Sequence, residues 1–364
     1  MRVTFIISSL DLSGGSRVIA TYCRMLAASG HQVTVVVPQR RPIPLRRRLR
    51  QLIVHGRWDA GQGRGSHYDD LGLDVRVIDH RPIVEADVPD ADVVIATWWE
   101  TAEWVNAFSR RKGAKVYFVQ GHEVFDNLPL DRVRATYHMP FVKIVVSGWL
   151  GRVMKETYGD ASSILVPNAV DHAVFYAEPR GKQVAPTVGF MFAQGSVKAV
   201  EVAIEAIREV KVKVPNLRLV SFGVVPPRGL EGFNRDFNFT LRPDGRQLRE
   251  SYSACDVWLC SSKSEGFGLP AMEAMACRTP VVSTRVGWPL DAIEHNRNGY
   301  LVPVGDASAL ADAALSCLSL SGPAWKEMSD RAYRTARSID WTRSCKEFTH
   351  ALEAACELRP AGHA

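Results

Sequence analysis

Several features that define other classes of protein are missing from this 364-residue chain. No apolar run reaches the ~18 residues of a membrane-spanning helix, so we expect a cytoplasmic protein. The seven cysteines include no C-x-x-C pair, and several lie among apolar residues, which predicts reduced core thiols rather than disulfides or zinc ligands. The chain has no P-loop, its first glycine-rich loop lacks G-x-G-x-x-G, and no D-x-D motif lies where a predicted strand ends. We therefore expect neither a bound metal ion nor another cofactor.

The pattern of apolar residues predicts an α/β protein with two domains. Short runs rich in valine and isoleucine alternate with helical patterns, which is typical of parallel sheets. The predicted strands are 2–8, 32–38, 93–97, 115–120 and 143–147 in a first series, and 187–192, 217–223, 256–261 and 280–284 in a second. We predict two doubly wound domains, 1–173 and 174–340, with a ligand in the crevice at the carboxyl ends of their strands. An amphipathic terminal helix is predicted at 341–358.

The most chemically demanding stretch covers residues 264–276 and reads S-E-G-F-G-L-P-A-M-E-A-M-A. It follows a predicted buried strand and opens a short helix. Gly266 and Gly268 allow a tight bend, and the free N–H groups at the helix start favour an anion such as a diphosphate. Carboxylates repel phosphate, so Glu265 and Glu273 more plausibly accept hydrogen bonds from the hydroxyls of a sugar or ribose. The predicted ligand is therefore a nucleotide sugar.

Taken singly, each carboxylate also has an ordinary structural explanation, as an exposed loop residue or an acidic residue in a first helical turn. Their spacing of eight residues favours a shared role in ligand binding over these separate structural explanations. With Thr279-Pro280-Val281-Val282-Ser283, the segment resembles the E-x7-E signature of retaining glycosyltransferases of the GT-B fold, family 4. That fold pairs two Rossmann-like domains across a cleft. Further stretches that follow the family's order are Ser13-Gly14-Gly15, residues 26–35, Val119-Gln120-Gly121-His122-Glu123, Val145-Val146-Ser147, residues 166–171 and residues 298–302.

The resemblance implies how the matching residues would act. Glu265 would hold the donor sugar hydroxyls and Glu273 the ribose, while the acceptor attacks the face from which the diphosphate leaves. From the residues alone, Glu265 as a covalent nucleophile remains an alternative. By resemblance, the terminal helix crosses back to pack on the first domain. The predicted catalytic residues are Glu265, His122 and Lys198, and the predicted donor-binding residues are Gly14, Gly15, Lys198, Gly266, Phe267, Gly268, Leu269 and Glu273.

Departures from the family lie around Lys198. Phe190 stands where arginine is common, and Ala199 replaces a usual glycine. A single lysine offers phosphate a point charge without the forked grip of arginine, and a solvated helix-start lysine fits the local sequence equally well. His122 follows the predicted strand 115–120 and would point toward the cleft, although a lone histidine is more often packed or solvated. A glycine-rich turn without a ligand explains Gly14 and Gly15 equally well.

The net charge of +6 is concentrated in residues 40–58, which hold seven arginines and no acid. If Pro44 starts a helix, its apolar residues form one stripe, a pattern typical of an interfacial membrane helix. A solvated loop fits equally well. Nucleic acid is disfavoured because the segment lacks an aromatic platform beyond Trp58. The residues predicted to contact the acceptor or an anionic membrane are Arg46, Arg47, Arg48 and Arg50.

The predicted function is a retaining, metal-independent glycosyltransferase of the hexosyl type. It would move a sugar from a nucleotide diphosphate to a glycan or lipid-linked saccharide, in the synthesis of cell-surface polysaccharide or glycoconjugate, at the inner face of the membrane. A GT-B epimerase or hydrolase would share the donor half of this site. A catalytically inactive sugar-nucleotide-binding protein is the third alternative, and the missing arginine and glycine around Lys198 keep it open.

Overall fold

Two parallel β-sheets with intervening helices form the part of the chain that the computed structural model describes. The described residues are 1–39, 65–69, 71–79, 81–227, 230 and 236–358. The arginines predicted to contact the acceptor or a membrane lie outside them: Arg46, Arg47, Arg48 and Arg50.

The first sheet is built around strands that are buried on both faces. Its strands are β1 (Arg2–Ile6), β2 (Gln32–Pro38), β3 (Asp74–Ile78), β4 (Val93–Ala96), β5 (Ala114–Val119), β6 (Val142–Val145) and β7 (Ile164–Leu165). In space their order is β3-β2-β1-β4-β5-β6-β7. Every residue of β4 is buried. Because successive side chains point to opposite faces, this burial means that both faces of the sheet are covered.

The second sheet follows the same plan with six strands among the described residues. They are β8 (Thr187–Phe192), β9 (Arg218–Gly223), β10 (Phe237–Leu241), β11 (Val257–Cys260), β12 (Val281–Thr284) and β13 (Gly299–Val302), in the spatial order β10-β9-β8-β11-β12-β13. The strand β8 is central and pairs in parallel with β9 and β11. The sheet therefore reverses its order beside β8, the place where open α/β sheets bind ligands.

Helices connect most of the strands, as parallel pairing requires. In chain order the described helices are α1 (Gly14–Ala28), α2 (Trp99–Asn106), α3 (Leu130–Thr136), α4 (Gly148–Tyr158), α5 (Val200–Lys213), α6 (Gly245–Ser253), α7 (Leu269–Ala276), α8 (Gly287–Ala292), α9 (Ala307–Ser319), α10 (Gly322–Arg337) and α11 (Trp341–Glu357).

The chain divides into two compact units. The first comprises Met1–Ile144, Tyr158–Ile164 and Cys345–Ala364, and the second comprises Val145–Thr157 and Leu165–Ser344. Within the first unit, Phe348 of the terminal helix stacks on Tyr22 with ring centroids 4.2 Å apart. The helix thus supplies an aromatic side chain to the core of the first unit.

Residues 32–38 and 187–192 form strands with the predicted bounds, and the other predicted strands are present with ends shifted by one or two residues. The sequence patterns missed β3, β7, β10 and β13. All four are edge strands, and β3 and β10 have partly exposed residues, so these two lack a continuous apolar run. β7 has only two residues, which is too short for a period to be recognised. β13 is fully buried and as long as the predicted strands β11 and β12, so its length does not explain why it was missed.

Candidate functional site

Two loops of the second unit bring predicted site residues together. One follows β8 and contains Lys198, and the other follows β11 and contains Glu265. Because β8 and β11 are parallel neighbours, their following loops meet at the same edge of the sheet. The juxtaposition of two residues that lie 67 positions apart therefore follows from strand order.

Lys198 and Glu265 form an ion pair between Nζ and Oε1. The hydroxyl of Ser262 donates a hydrogen bond to the same carboxylate oxygen at 2.6 Å. The side chains are 30% and 17% exposed, respectively, so solvent reaches both of them. Lysine only donates hydrogen bonds and an ionised carboxylate only accepts them. The pair can therefore offer a cation to an anionic group and an acceptor to a hydroxyl at the same place.

A small pocket that is open to solvent adjoins this pair. Phe190, at the position where the family commonly has arginine, lines the cavity although only 1% of its surface is exposed. Other lining residues are Lys198, Ser261, Ser262, Glu265, Gly268, Pro270, Ser283 and Pro289. The phenylalanine fills core space beneath the cavity and leaves Lys198 as its cationic lining residue.

The backbones of the two loops are held together by hydrogen bonds. The Ser261 hydroxyl lies 2.9 Å from the carbonyl oxygens of both Lys198 and Ala199. The Lys263 N–H donates to the carbonyl of Val197 at 2.8 Å. Ala199 adopts the left-handed region, with φ of 43° and ψ of 48°, where glycine is favoured. The usual glycine of the family is explained by this conformation, and this chain accepts the strain of an alanine.

The glycine-rich turn before α7 is fixed through its carbonyl groups. The Ser147 hydroxyl donates to the Gly266 carbonyl at 2.6 Å, and the Trp288 N–H donates to the Phe267 carbonyl at 2.7 Å. Gly268 has φ of 95°, which requires glycine, and it precedes a helix start with no side-chain cap. The predicted binding turn of Gly266, Phe267, Gly268 and Leu269 is therefore well anchored.

Gly287 explains how this turn fits against its neighbours. A Cβ atom at Gly287 would lie 2.7 Å from the Phe267 carbonyl oxygen and 2.9 Å from the Glu265 Cβ. Its φ of 61° also favours glycine. The next residue, Trp288, stacks on Phe267 with ring centroids 5.5 Å apart. The loop that carries Glu265 therefore packs directly on the start of α8.

The second carboxylate of the motif, Glu273, lies in a different environment. It is 3% exposed on α7, and the Tyr252 hydroxyl donates to its Oε2 at 2.7 Å. Burial raises the pKa of Tyr252 well above its usual range, and the nearby Glu273 carboxylate adds to this. Glu273 is absent from the residues lining the cavity at Lys198. Its contact with a ribose stays a prediction.

The predicted residues of the first unit lie where β1 and β5 end. Gly14 and Gly15 begin α1, which is capped by the Ser13 side chain accepting from the Ser16 N–H. A Cβ at Gly15 would make ordinary contact with Gln120 at 3.6 Å, so the backbone here approaches the loop after β5. The prediction that these glycines contact a phosphate stays a prediction.

His122 lies in the loop after β5 with its Nε2 2.7 Å from the Tyr158 hydroxyl oxygen. Burial lowers the pKa of its imidazole, and the Arg134 cation lowers it further. The adjacent Glu123 is buried and accepts from the Trp99 N–H at 2.9 Å. Burial raises the pKa of Glu123 to about 8. The loop therefore contains a neutral imidazole at its surface and a carboxyl group beneath it.

Sequence reasoning missed several residues that shape these loops. The segment ending in Ser147 matched the family's order, but nothing in it identified the Gly266 carbonyl as the hydroxyl's partner. Ser262, Trp288 and Tyr158 had no sequence signal at all. Their partners are distant in the sequence and are selected by how strands and helices pack.

In the described part of the chain, no group of three or more histidine, cysteine, aspartate or glutamate side chains is arranged to hold a metal ion. The same ranges contain no helix whose length and apolar character would let it cross a membrane.

These two sheets and their order define the class of the protein. The fold is that of GT-B glycosyltransferases, so the predicted fold class is confirmed. The crystal structure of HepE from Anabaena in complex with UDP and glucose matches with a TM-score of 0.73 at 15% identity, covering 97% of this chain and 100% of that chain.

Sequence comparison matches part of the second unit to a known family. Residues 183–319 match the family described as Glycosyl transferases group 1. A D-inositol 3-phosphate glycosyltransferase from Corynebacterium jeikeium (strain K411) is 36% identical over 132 residues, which are 36% of this chain and 30% of that protein.

A second relative is an N-acetyl-alpha-D-glucosaminyl L-malate synthase from Bacillus anthracis. It is 44% identical over 71 residues, which are 20% of this chain and 19% of that protein. This chain thus spans less than a third of the length of these two curated relatives.

Proposed function

We propose that this chain is a glycosyltransferase that moves a sugar from a nucleoside diphosphate to a hydroxyl of an acceptor. The observation that carries the proposal is the pairing of Lys198 with Glu265 at the glycine-rich turn, inside the region that matches Glycosyl transferases group 1. A cation for the departing diphosphate and an acceptor for sugar hydroxyls lie side by side there.

In this proposal, the anomeric carbon exchanges its bond to the diphosphate oxygen for a bond to the acceptor oxygen. The acceptor's proton passes to the departing diphosphate. Lys198 and the amides of residues 267–269 stabilise the charge that develops on the diphosphate. Glu265 accepts hydrogen bonds from the donor sugar. Attack on the face from which the diphosphate departs gives retention, as in family 4, and Lys198 takes the place that a metal ion has in other transferases.

The remaining predicted residues complete the proposed donor site. Glu273 would contact the ribose, Gly14 and Gly15 the diphosphate, and His122 an oxygen of the transferred sugar or acceptor. The Lys198 ammonium already interacts with Glu265, so a bound diphosphate has to share or replace that contact. Binding of nucleotide is therefore expected to be weaker than an unpaired lysine would give.

The proposed donor is tested with a panel of UDP, GDP and ADP sugars in thermal-shift assays. UDP-glucose comes first because the HepE structure was determined with UDP and glucose. The stabilising donor is then incubated with and without candidate acceptors, and free nucleoside diphosphate is measured. Release that requires an acceptor supports the transferase.

The alternatives give different results in the same assay. Release of free sugar without an acceptor identifies a hydrolase, and conversion of the sugar while it stays attached to the nucleotide identifies an epimerase. Donor binding without any turnover across the acceptor panel identifies an inactive sugar-nucleotide-binding protein.

We propose a growing glycan or a lipid-linked saccharide as the acceptor, and a role in cell-surface polysaccharide or glycoconjugate synthesis. Support comes from the charge of residues 40–58 alone. Wild-type protein should sediment with anionic liposomes at low salt and far less with neutral ones, because arginines near an anionic surface add about 1 kcal/mol each. Replacing Arg46, Arg47, Arg48 and Arg50 by serine should remove binding. Failure of the wild type to bind would favour a soluble acceptor.

A further inference from the structure

The hydroxyl of Tyr158 and the imidazole of His122 form a close polar contact in the first unit. The His122 Nε2 lies 2.7 Å from the Tyr158 Oη, a normal hydrogen-bond distance for these atoms. The two rings meet edge to face, with centroids 5.7 Å apart and planes at 66°. Tyr158 is the last residue of α4, so a helix end positions its ring.

The surroundings of the two rings decide which atom donates. Only 9% of the Tyr158 surface is exposed, and among the described residues its hydroxyl has no hydrogen-bond partner other than the His122 ring. A buried tyrosine O–H normally finds an acceptor, because leaving the proton without one costs free energy. If Tyr158 donates, Nε2 is the acceptor and this requirement is met. If the imidazole donated instead, the tyrosine proton would have no acceptor among the described side chains and backbone groups.

The charges around His122 favour the neutral form of its imidazole. Arg134 lowers the pKa of the imidazole, in addition to the effect of burial. The ring of Tyr137 lies 5.7 Å away, and its hydroxyl accepts from the Glu123 N–H at 2.9 Å. Glu123 itself is buried with its pKa raised to about 8, so at neutral pH it supplies little negative charge to stabilise an imidazolium. His138 also packs on Tyr158, edge to face, with ring centroids 5.4 Å apart.

We propose that Tyr158 is a positioning residue that holds His122 as the neutral tautomer with the proton on Nδ1. The imidazole then presents Nδ1–H as a hydrogen-bond donor to a substrate oxygen, and it cannot act as a base through the engaged Nε2. The tautomer follows from the contacts of the protein alone. Only the identity of the hydrogen-bond acceptor, a sugar or acceptor oxygen, rests on the proposed function.

The tautomer is measured by nuclear magnetic resonance on the full chain with ¹⁵N-labelled histidine. The His122 signals are assigned by their loss in the His122→Gln variant. In the wild type at neutral pH, the shifts should show a protonated Nδ1 and an unprotonated Nε2. In Tyr158→Phe, the signals should move toward the Nε2–H tautomer that free histidine prefers. Tyr22→Phe, which removes a hydroxyl from a ring packed on Phe118 and Phe348, should leave the tautomer unchanged.

An Nε2–H tautomer in the wild type would overturn the inference, because Tyr158 would then be accepting. An Nδ1–H tautomer that persists in Tyr158→Phe would also overturn it, because another contact would be setting the tautomer. Both outcomes are independent of any enzymatic activity.

Turnover with the donor found by thermal shift tests what the positioned imidazole does. Tyr158→Phe should lower kcat by about tenfold, the effect of one lost hydrogen bond, with little change in KM for the donor. If the tautomer shifts as expected but neither Tyr158→Phe nor His122→Gln changes turnover, the positioning stands and the proposed contact of His122 with substrate is wrong.

Discussion

Glu265 and Glu273 belong to one sequence motif but lie in opposite kinds of surroundings. Glu265 meets Lys198 and Ser262 beside an open cavity. Glu273 is buried, four residues into the helix that the motif opens, and accepts from Tyr252. Glu265 can reach a ligand by exchanging its partners. Glu273 already forms a buried hydrogen bond, so losing its carboxylate affects the interior of the domain as well as any ligand.

The difference shows that the sequence spacing of the two glutamates does not predict which of them is exposed to solvent. The interval of eight residues places both carboxylates on one loop-and-helix frame. Which of them meets solvent depends on what packs over the helix, and α6 supplies Tyr252 for that purpose. Substitutions of Glu265 and Glu273 are therefore expected to affect different quantities, namely turnover for Glu265 and stability for Glu273.

The largest effect is expected from Glu265. Glu265→Ala should reduce turnover by at least ~10³-fold, the scale of a lost transition-state contact, and leave the free energy of unfolding within about 1 kcal/mol of wild type. The change in the free energy of unfolding is small because the ion pair with Lys198 is partly exposed. Turnover with the identified donor and urea unfolding measure the two quantities.

Glu273 provides the matched control for that experiment. Glu273→Ala leaves the buried Tyr252 hydroxyl without its acceptor and should lower the free energy of unfolding by about 1–3 kcal/mol, while Glu273→Gln should cost less. If Glu265→Ala kept near-normal turnover, or if both alanine variants changed stability equally, the contrast between the two carboxylates would be wrong.

Lys198 should give the next largest effect. Lys198→Ala removes the cation beside Glu265 and should raise the barrier for transfer by about 3 kcal/mol, roughly a hundredfold in kcat/KM. Lys198→Arg keeps the charge and should retain more activity. A loss below tenfold would show that another basic residue serves the diphosphate, and Arg285, exposed directly after β12, would be the first to test.

Glu123 extends the comparison to a buried carboxyl group of the first unit. Burial raises its pKa from the usual 4.5 to about 8, so the folded state binds more protons than the unfolded state between these values. Its contribution to stability is therefore fully present below pH 4.5 and is lost as the pH rises through 8. Between pH 5 and 9, the wild type should lose on the order of 4 kcal/mol more stability than Glu123→Gln.

Urea unfolding at several pH values measures this difference. The glutamine can still accept from the Trp99 N–H, so the variant should remain folded throughout. Parallel pH profiles for the two proteins would show that Glu123 is ionised in the folded state at neutral pH.

The smallest effect concerns the loop that carries Lys198. Ala199→Gly removes a left-handed strain of ~1–2 kcal/mol, which offsets a lost methyl contact and the added chain entropy of glycine. Its net effect on stability should be near zero. Ala203→Gly, at a buried position inside α5, has no strain to relieve and should destabilise by about 1–2 kcal/mol. Equal losses in urea unfolding would mean that the Ala199 backbone is unstrained.

Sequence patterns predicted the central strands because these are buried on both faces and read as continuous apolar runs. Edge strands such as β3 and β10 were not predicted, because their partly exposed residues interrupt the apolar pattern. For the site, resemblance to a family indicated Lys198 and Glu265. Their direct pairing could not be read from the sequence, because it depends on β8 and β11 being neighbours.

The hydrogen-bond partners of single side chains were harder still to predict. The contact between His122 and Tyr158 depends on where the end of α4 lies, and a phenylalanine would satisfy the local helical pattern as well as a tyrosine. The burial of Glu273 likewise depends on Tyr252, which is 21 positions away on a separate helix. Such partners are set by packing between elements.

The backbone bonds between the loops of Lys198 and Glu265 have a consequence for how such a site can change over generations. The Ser261 hydroxyl and the Lys263 N–H hold main-chain carbonyls of the neighbouring loop, and neither bond uses the lysine ammonium or the glutamate carboxylate. The loops therefore keep their course whichever side chains stand at positions 198 and 265. Proteins that share these backbone hydrogen bonds can therefore change one ligand-facing residue at a time during evolution. Substrate preference can change in this way while the conformation of the loops is retained.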